Sequence, residues 1–104
     1  EPMEEIPMSV VRVMVFENPI TWNEFMKVFR GSAKPVFKKF KKEKTLNRWS
    51  LIQIDDHKGM LVLEFDNKSK LNKYLKIASA VRKDVTDDIG MQSWIYSGPV
   101  KASG

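Results

Sequence analysis

The sequence predicts an α+β domain, a βαββαβ sandwich in which a four-stranded antiparallel sheet carries two helices on one face. Three observations predict it. Four short segments are rich in β-branched and aromatic residues and are bounded by turn chemistry. Two long segments repeat apolar residues at helical spacing. The two kinds follow one another as strand, helix, strand, strand, helix, strand, and right-handed crossovers then place the first strand between the third and the fourth.

From Ser9 to Phe16 nearly every residue is apolar, with Val10, Val11, Val13 and Val15 β-branched and Arg12 the exception. That is the composition of a central strand covered on both faces. Glu17-Asn18-Pro19 ends it, and Thr21-Trp22-Asn23-Glu24 has the form of a capping box opening a helix. Trp22, Phe25, Met26, Phe29, Ala33, Val36, Phe37 and Phe40 then fall within an arc of about 100–120°. The stripe keeps its phase across Gly31 and Pro35, which predicts one long helix kinked near Gly31; two short helices also fit.

Asn47 to Asp55 reads as a second strand and Met60 to Phe65 as a third, joined by Asp55-Asp56-His57-Lys58-Gly59 in an antiparallel hairpin. Asp66, Asn67 or Ser69 caps the next helix, on which Leu71, Tyr74, Leu75, Ala78, Val81 and Val85 share one face. Lys68, Lys70, Lys73 and Lys76 avoid the centre of that face. After a polar stretch from Asp84 to Gly90, Met91 to Ser97 is the last strand, ended by Gly98-Pro99. One domain is expected over residues 1–104, with its core at about 9–97 and tails at 1–7 and 98–104.

Composition narrows the chemistry. A chain of 104 residues, 30% charged and 42% hydrophobic, suits one globular core, and no apolar run approaches the roughly 20 residues that cross a bilayer. Glu1 to Pro7 carries acids and two prolines in place of the basic and apolar stretches of an export signal, so none is expected. With no cysteine there is no disulfide, thiolate metal site or cysteine nucleophile, and the expected location is cytoplasmic. Phosphate-binding glycine loops, the Gly-x-Ser-x-Gly elbow and the His-Glu-x-x-His helix are absent. The single histidine cannot complete a histidine metal set, so neither metal nor organic cofactor is expected, and no catalytic residue is assigned.

Both faces of the sheet read as apolar, which two helices on one side cannot cover. On the first strand Val11, Val13 and Val15 oppose Val10, Arg12, Met14 and Phe16. On the second, Ile52 and Ile54 oppose Trp49, Leu51 and Gln53; on the third, Leu61, Leu63 and Phe65 oppose Met60, Val62 and Glu64. The second set of each strand is expected to form the uncovered face. Large exposed apolar patches mark interaction sites, and the simplest partner is a second copy, sheet against sheet. Met14, Phe16, Trp49, Leu51, Met60 and Val62 are the expected interface residues of that homodimer.

This pattern, from about Ser9 to Tyr96, resembles the dimeric α+β barrel superfamily of stand-alone ferredoxin-like chains. That group includes antibiotic-biosynthesis-type and haem-degrading monooxygenases, as well as members from marine environmental sequence. The resemblance is one of pattern and not of motif. It implies a ferredoxin-like fold, a homodimer, and a substrate cleft between helix 1 and the sheet. Any enzymatic activity would resemble that of the cofactor-independent oxygenases, whose substrate supplies the reactive electrons.

Four features carry candidate chemistry. His57 beside Asp55 and Asp56 has the makings of a general base or a weak metal site, but Asp and Gly are also what a solvated turn requires, and that is the reading preferred. Lys34, Lys38, Lys39, Lys41, Lys42 and Lys44 lie mostly opposite the aromatic stripe, as on the solvated face of an amphipathic helix; a nucleic-acid or anionic-membrane patch is the functional alternative. Lys58 to Phe65 looks like the third-strand motif of RNA-recognition modules at its opening Lys-Gly and its closing Phe. Met60 and Val62 occupy the base-stacking positions, however, so nucleic acid is not an expected partner.

The fourth feature is aromatic. Three Trp, two Tyr, six Phe and six Met are generous for 104 residues and suit an adaptable apolar pocket, although aromatic stripes more often simply fill a core. Trp22, Phe25, Phe29, Phe37, Trp94 and Tyr96 are the expected lining for a small apolar or amphipathic, lipid-like ligand. Arg12 is the expected partner of a ligand carboxylate, with Glu64 or Glu17 the alternative anions from within the chain.

Overall fold

The structure is a computed structural model that describes residues 9–103; the side chains of residues 79–89 lie outside the described set. Its elements run β1 (Val10–Glu17), α1 (Trp22–Lys42), β2 (Arg48–Asp55), β3 (Lys58–Phe65), α2 (Lys68–Ile89) and β4 (Gln92–Pro99). The sheet order is β2-β3-β1-β4 with every pairing antiparallel, as the crossover argument predicts. β4 continues through Gly98 and Pro99, expected to be tail, because Val10 pairs with Pro99. α2 runs on through the polar stretch that begins at Asp84 and closes at Gly90, whose φ of +69° suits a residue without Cβ. The expected helix-face residues Val81 and Val85, and the tail 1–7, lie outside the described residues.

α1 is a single helix of 21 residues despite Pro35. Its capping box is complete: the Thr21 hydroxyl accepts from the Glu24 amide, and the Thr21 amide donates to Glu24 Oε1 at 3.1 Å. Such a cap stabilises a helix by about 1 kcal/mol. The hydrogen bonds from Thr21 hold the Glu24 carboxyl below its ordinary range. Of the three candidate caps for α2, Asn67 serves, its side chain accepting from the Lys70 amide at 2.9 Å. Asp66 instead accepts from Asn47 and pairs with Lys70, and those hydrogen bonds lower its pKa.

The core lies between helices and sheet. Phe25, Phe29, Phe37 and Phe40 from α1 meet Leu71, Tyr74 and Ala78 from α2 over Phe16, Leu61, Leu63 and Phe65 from the sheet. Phe16, Phe40, Leu46, Leu63 and Phe65 are almost fully excluded from solvent.

The register corrects which sheet face the helices cover. Directly opposite residues of antiparallel strands share a face. Phe16 stands opposite Gly59, Met14 opposite Leu61 and Arg12 opposite Leu63, so Arg12, Met14 and Phe16 lie with the helix-facing set of β3. Trp49 opposite Leu63 and Leu51 opposite Leu61 lie there too. Met14, Phe16, Trp49 and Leu51 are therefore on the covered face, contrary to expectation, while Met60 and Val62 are on the open one. Both alternate sets of β1 are apolar, so alternation alone does not choose between them. Gly59 does: its bare backbone leaves room for the Phe16 ring, which stacks on Phe25 at 5.0 Å beneath α1.

Candidate functional site

Two spaces and one surface stand out. The first space is an interior cavity of ≈ 70 Å³ between the helices and the sheet. Phe25, Phe29, Ala33, Val36 and Phe37 line it from α1, Tyr74 and Ala78 from α2, and Met14, Phe16, Leu51, Leu61 and Leu63 from the sheet. Ser32 and Arg12 are the polar exceptions, and the Ser32 hydroxyl is occupied in donating to the Val28 carbonyl at 2.7 Å. Of the expected ligand-binding residues, Phe25, Phe29, Phe37 and Arg12 thus meet around one cavity. Trp22 closes one end of the same aromatic cluster, edge-on to Phe25 at 5.5 Å.

Trp94 and Tyr96 do not join them. They stand opposite Val15 and Val13, on the sheet face away from the helices, and are 44% and 63% exposed. β4 carries Ser93, Ile95 and Ser97 on its helix side instead. Glu64 and Glu17 are also on the other face from Arg12 and are engaged elsewhere: Glu64 with Arg48 at 3.2 Å, Glu17 with Lys58 at 3.8 Å. Arg12 has its own interaction within the fold.

The surface is the open sheet face. Val11, Val13 and Val15 from β1, Ile52 from β2, Met60 and Val62 from β3, and Trp94 and Tyr96 from β4 share it. Ile54, at the register irregularity between Gln53 and Asp55, is 48% exposed and Ile52 40%. Charge is confined to its ends, where Arg48 pairs with Glu64 and Lys58 with Glu17. An apolar centre with a charged rim is the anatomy of a protein–protein interface. The open apolar face is as expected, but β1 and β2 present the opposite parity to it, and Trp94 and Tyr96, expected in the pocket, stand on it.

The second space is a surface groove of ≈ 490 Å³ between α1 and β2, with walls from Trp22, Met26, Arg30, Lys34, Trp49 and Leu51 among others. The remaining candidates resolve as expected of local structure. His57 sits in the hairpin turn, its amide donating to Asp55 Oδ1 at 2.9 Å. Its Nδ1 lies 3.1 Å from the Ile20 carbonyl, which can only accept, so that nitrogen carries the proton. Its carbonyl accepts from the Asn18 amide, tying the β1–α1 loop to the hairpin. No cluster among the described residues has the makings of a metal site. The lysines 34, 38, 39, 41, 42 and 44 are all exposed. No helix among the described residues is long and apolar enough to cross a membrane.

No protein-family model matches the chain, and no curated protein matches it in sequence. Solved structures do. A dimeric ferredoxin-like protein from an uncultured marine organism superposes with a TM-score of 0.73 at 12% identity, over 93% of this chain and 91% of that one. A second such protein, also from an uncultured marine organism, gives 0.74 at 11% identity, over 93% and 99%. SnoaB, a cofactor-independent oxygenase from Streptomyces nogalater, gives 0.74 at 14% identity, over 92% and 96%. Likeness of this extent at such low identity establishes the architecture: the chain has the ferredoxin-like fold that dimeric ferredoxin-like proteins share with a cofactor-independent oxygenase.

Proposed function

We propose that the chain is a homodimer, joined sheet to sheet, in which each protomer holds a small apolar or amphipathic ligand between α1 and the sheet without metal or organic cofactor. The observation that carries this reading is the open face: an apolar surface centred on Val13 and Val62 that runs from Trp94 and Tyr96 of β4 to Ile52 of β2, with Ser50 beside Val62 and ion pairs at its ends. Monomers seldom leave such a face in water. Two of the superposed structures are described as dimeric, which supports the same assembly here.

The ligand half rests on the interior cavity. Its ≈ 70 Å³ exceeds the ~10–15 Å³ that one water needs and falls short of the ~300 Å³ at which drug-sized pockets begin. A compact apolar molecule suits it, and Met14 and Met91, both in its wall, are adaptable enough to widen it. An anionic group on that molecule would lie toward Arg12, sharing it with the interaction Arg12 already makes. Native mass spectrometry of gently purified protein tests both halves. A dimer that retains a small molecule is expected, and Ala33→Leu, which fills the cavity from the α1 side, is expected to release that molecule without splitting the dimer. A bare monomer contradicts both halves.

A further inference from the structure

The groove beside β2 is not used by the dimer face, and its walls share only Phe29 and Leu51 with those of the interior cavity. On α1, Trp22, Met26, Arg30 and Lys34 recur at every fourth position and make one ridge. Facing them, Trp49, Leu51 and Gln53 occupy alternate positions on the helix side of β2, an edge strand. The ≈ 490 Å³ between them lies within the roughly 300–1,000 Å³ range of small-molecule sites and far exceeds the interior cavity.

The walls are held in place. The Trp22 indole donates to the Asp55 carbonyl at 2.7 Å, and the Trp49 ring packs on Phe29 and Phe37 at 5.6 and 5.4 Å. Fixed walls lower the ordering cost of binding. Charge is graded along the ridge: Trp22 and Met26 make one end neutral, with the Asn23 and Gln53 amides beside Trp22, and Arg30 and Lys34 make the other cationic. The ion pairs among the described residues employ Arg48, Lys58 and Lys70, so neither Arg30 nor Lys34 has an acidic partner there. From Trp22 to Lys34 the ridge rises about 18 Å, at 1.5 Å per residue.

We propose that this groove binds a small amphipathic carboxylate, its apolar body along Trp22, Met26 and Leu51 and its carboxylate on Arg30 and Lys34. The guanidinium of Arg30 offers the fork that a carboxylate fits, and Lys34 adds a second charge one turn on. The groove is on the helix side of the sheet, so a dimer formed through the open face leaves it accessible. Its occupancy does not depend on the interior cavity.

Octanoate is the probe, with octanol as its uncharged counterpart, titrated into the full chain and followed by NMR of the three indole N–H groups. Saturable shifts are expected at Trp22 and Trp49 with Trp94 unmoved, and octanol is expected to bind about tenfold more weakly. Arg30→Gln with Lys34→Gln keeps good helix formers on an exposed ridge and is expected to weaken octanoate about tenfold. Ala33→Leu, which fills only the interior cavity, is expected to leave octanoate binding unchanged. Absence of octanoate binding, equal affinity for octanol, shifts centred on Trp94, or indifference to the double substitution overturns the proposal. Octanoate binding lost with Ala33→Leu but kept in the double variant assigns the ligand to the interior cavity, which upholds the proposed function and overturns the groove.

Discussion

Phe16→Ala is expected to destabilise the chain by about 3–5 kcal/mol, a large part of the ~5–15 kcal/mol that holds a domain of this kind together. Phe16 is fully buried and stands where three elements meet. Its ring stacks on Phe25 of α1 at 5.0 Å, lies 6.0 Å from Trp22 and covers Gly59 of β3. Truncation leaves a hole that the sheet backbone cannot collapse to fill. Gly59→Ala probes the same contact from the other side. A Cβ there would come within 2.5 Å of Phe16 Cζ and 2.8 Å of the Trp22 ring, an overpacking that costs about 1–3 kcal/mol. Combined with Phe16→Leu, the new methyl gains room, so the double variant should lose less than the sum of the two single losses. Denaturant midpoints at one fixed protein concentration measure all of these. A Phe16→Ala midpoint equal to that of the parent, or strict additivity in the pair, would separate Phe16 from Gly59 and undo the argument for which sheet face the helices cover.

Val13→Lys is expected to convert the proposed dimer to monomer at micromolar concentration. Val13 lies between Val62 and Tyr96 across β3, β1 and β4, at the centre of the open face. A lysine there places two ammonium groups near the two-fold axis of a sheet-to-sheet dimer, and the acid nearest to it along β3, Glu64, is already engaged by Arg48. Burying an unpaired charge costs several kcal/mol, and each 1.4 kcal/mol is tenfold in dissociation constant. In the monomer the same side chain extends into water along its aliphatic stem, so the fold is expected to survive. Circular dichroism like that of the parent, with light scattering at single-chain mass, is the expected pair of results. A Val13→Lys chain that stays dimeric would move the interface elsewhere.

Element order and pairing were legible because each rests on local chemistry: the Thr21–Glu24 capping box and the unbroken stripe from Trp22 to Phe40 are borne out, and the hairpin turns where expected but over Asp56-His57 alone, Lys58 and Gly59 already belonging to β3. The stripe is continuous because the capped N-terminus and a 21-residue packed face outweigh the one backbone hydrogen bond that Pro35 cannot make. Which face of the sheet the helices cover was not legible. Val10, Met14 and Phe16 are as apolar as Val11, Val13 and Val15, so the choice falls to a contact distant in sequence, the Phe16 ring over Gly59. Once β1 is fixed, its pairing with β4 sends Trp94 and Tyr96 to the open face, whatever their attraction to a pocket. Arg12 follows the same parity and arrives beside the cavity, one of the expected site residues that the fold does bring to the others. The groove of Arg30 and Lys34 went unseen because in the sequence these residues merge with a longer run of solvated lysines; only the neighbouring Trp49 of β2 sets them apart.

Light scattering of the unmodified chain over a range of concentration bears most directly on the assembly. Twice the chain mass of 12.1 kDa is expected, held down to micromolar protein, with Trp94 emission shielded from an aqueous quencher in the dimer. A mass of 12.1 kDa at every concentration, with Trp94 fully quenched, would contradict the sheet-to-sheet dimer and leave the open face without an occupant.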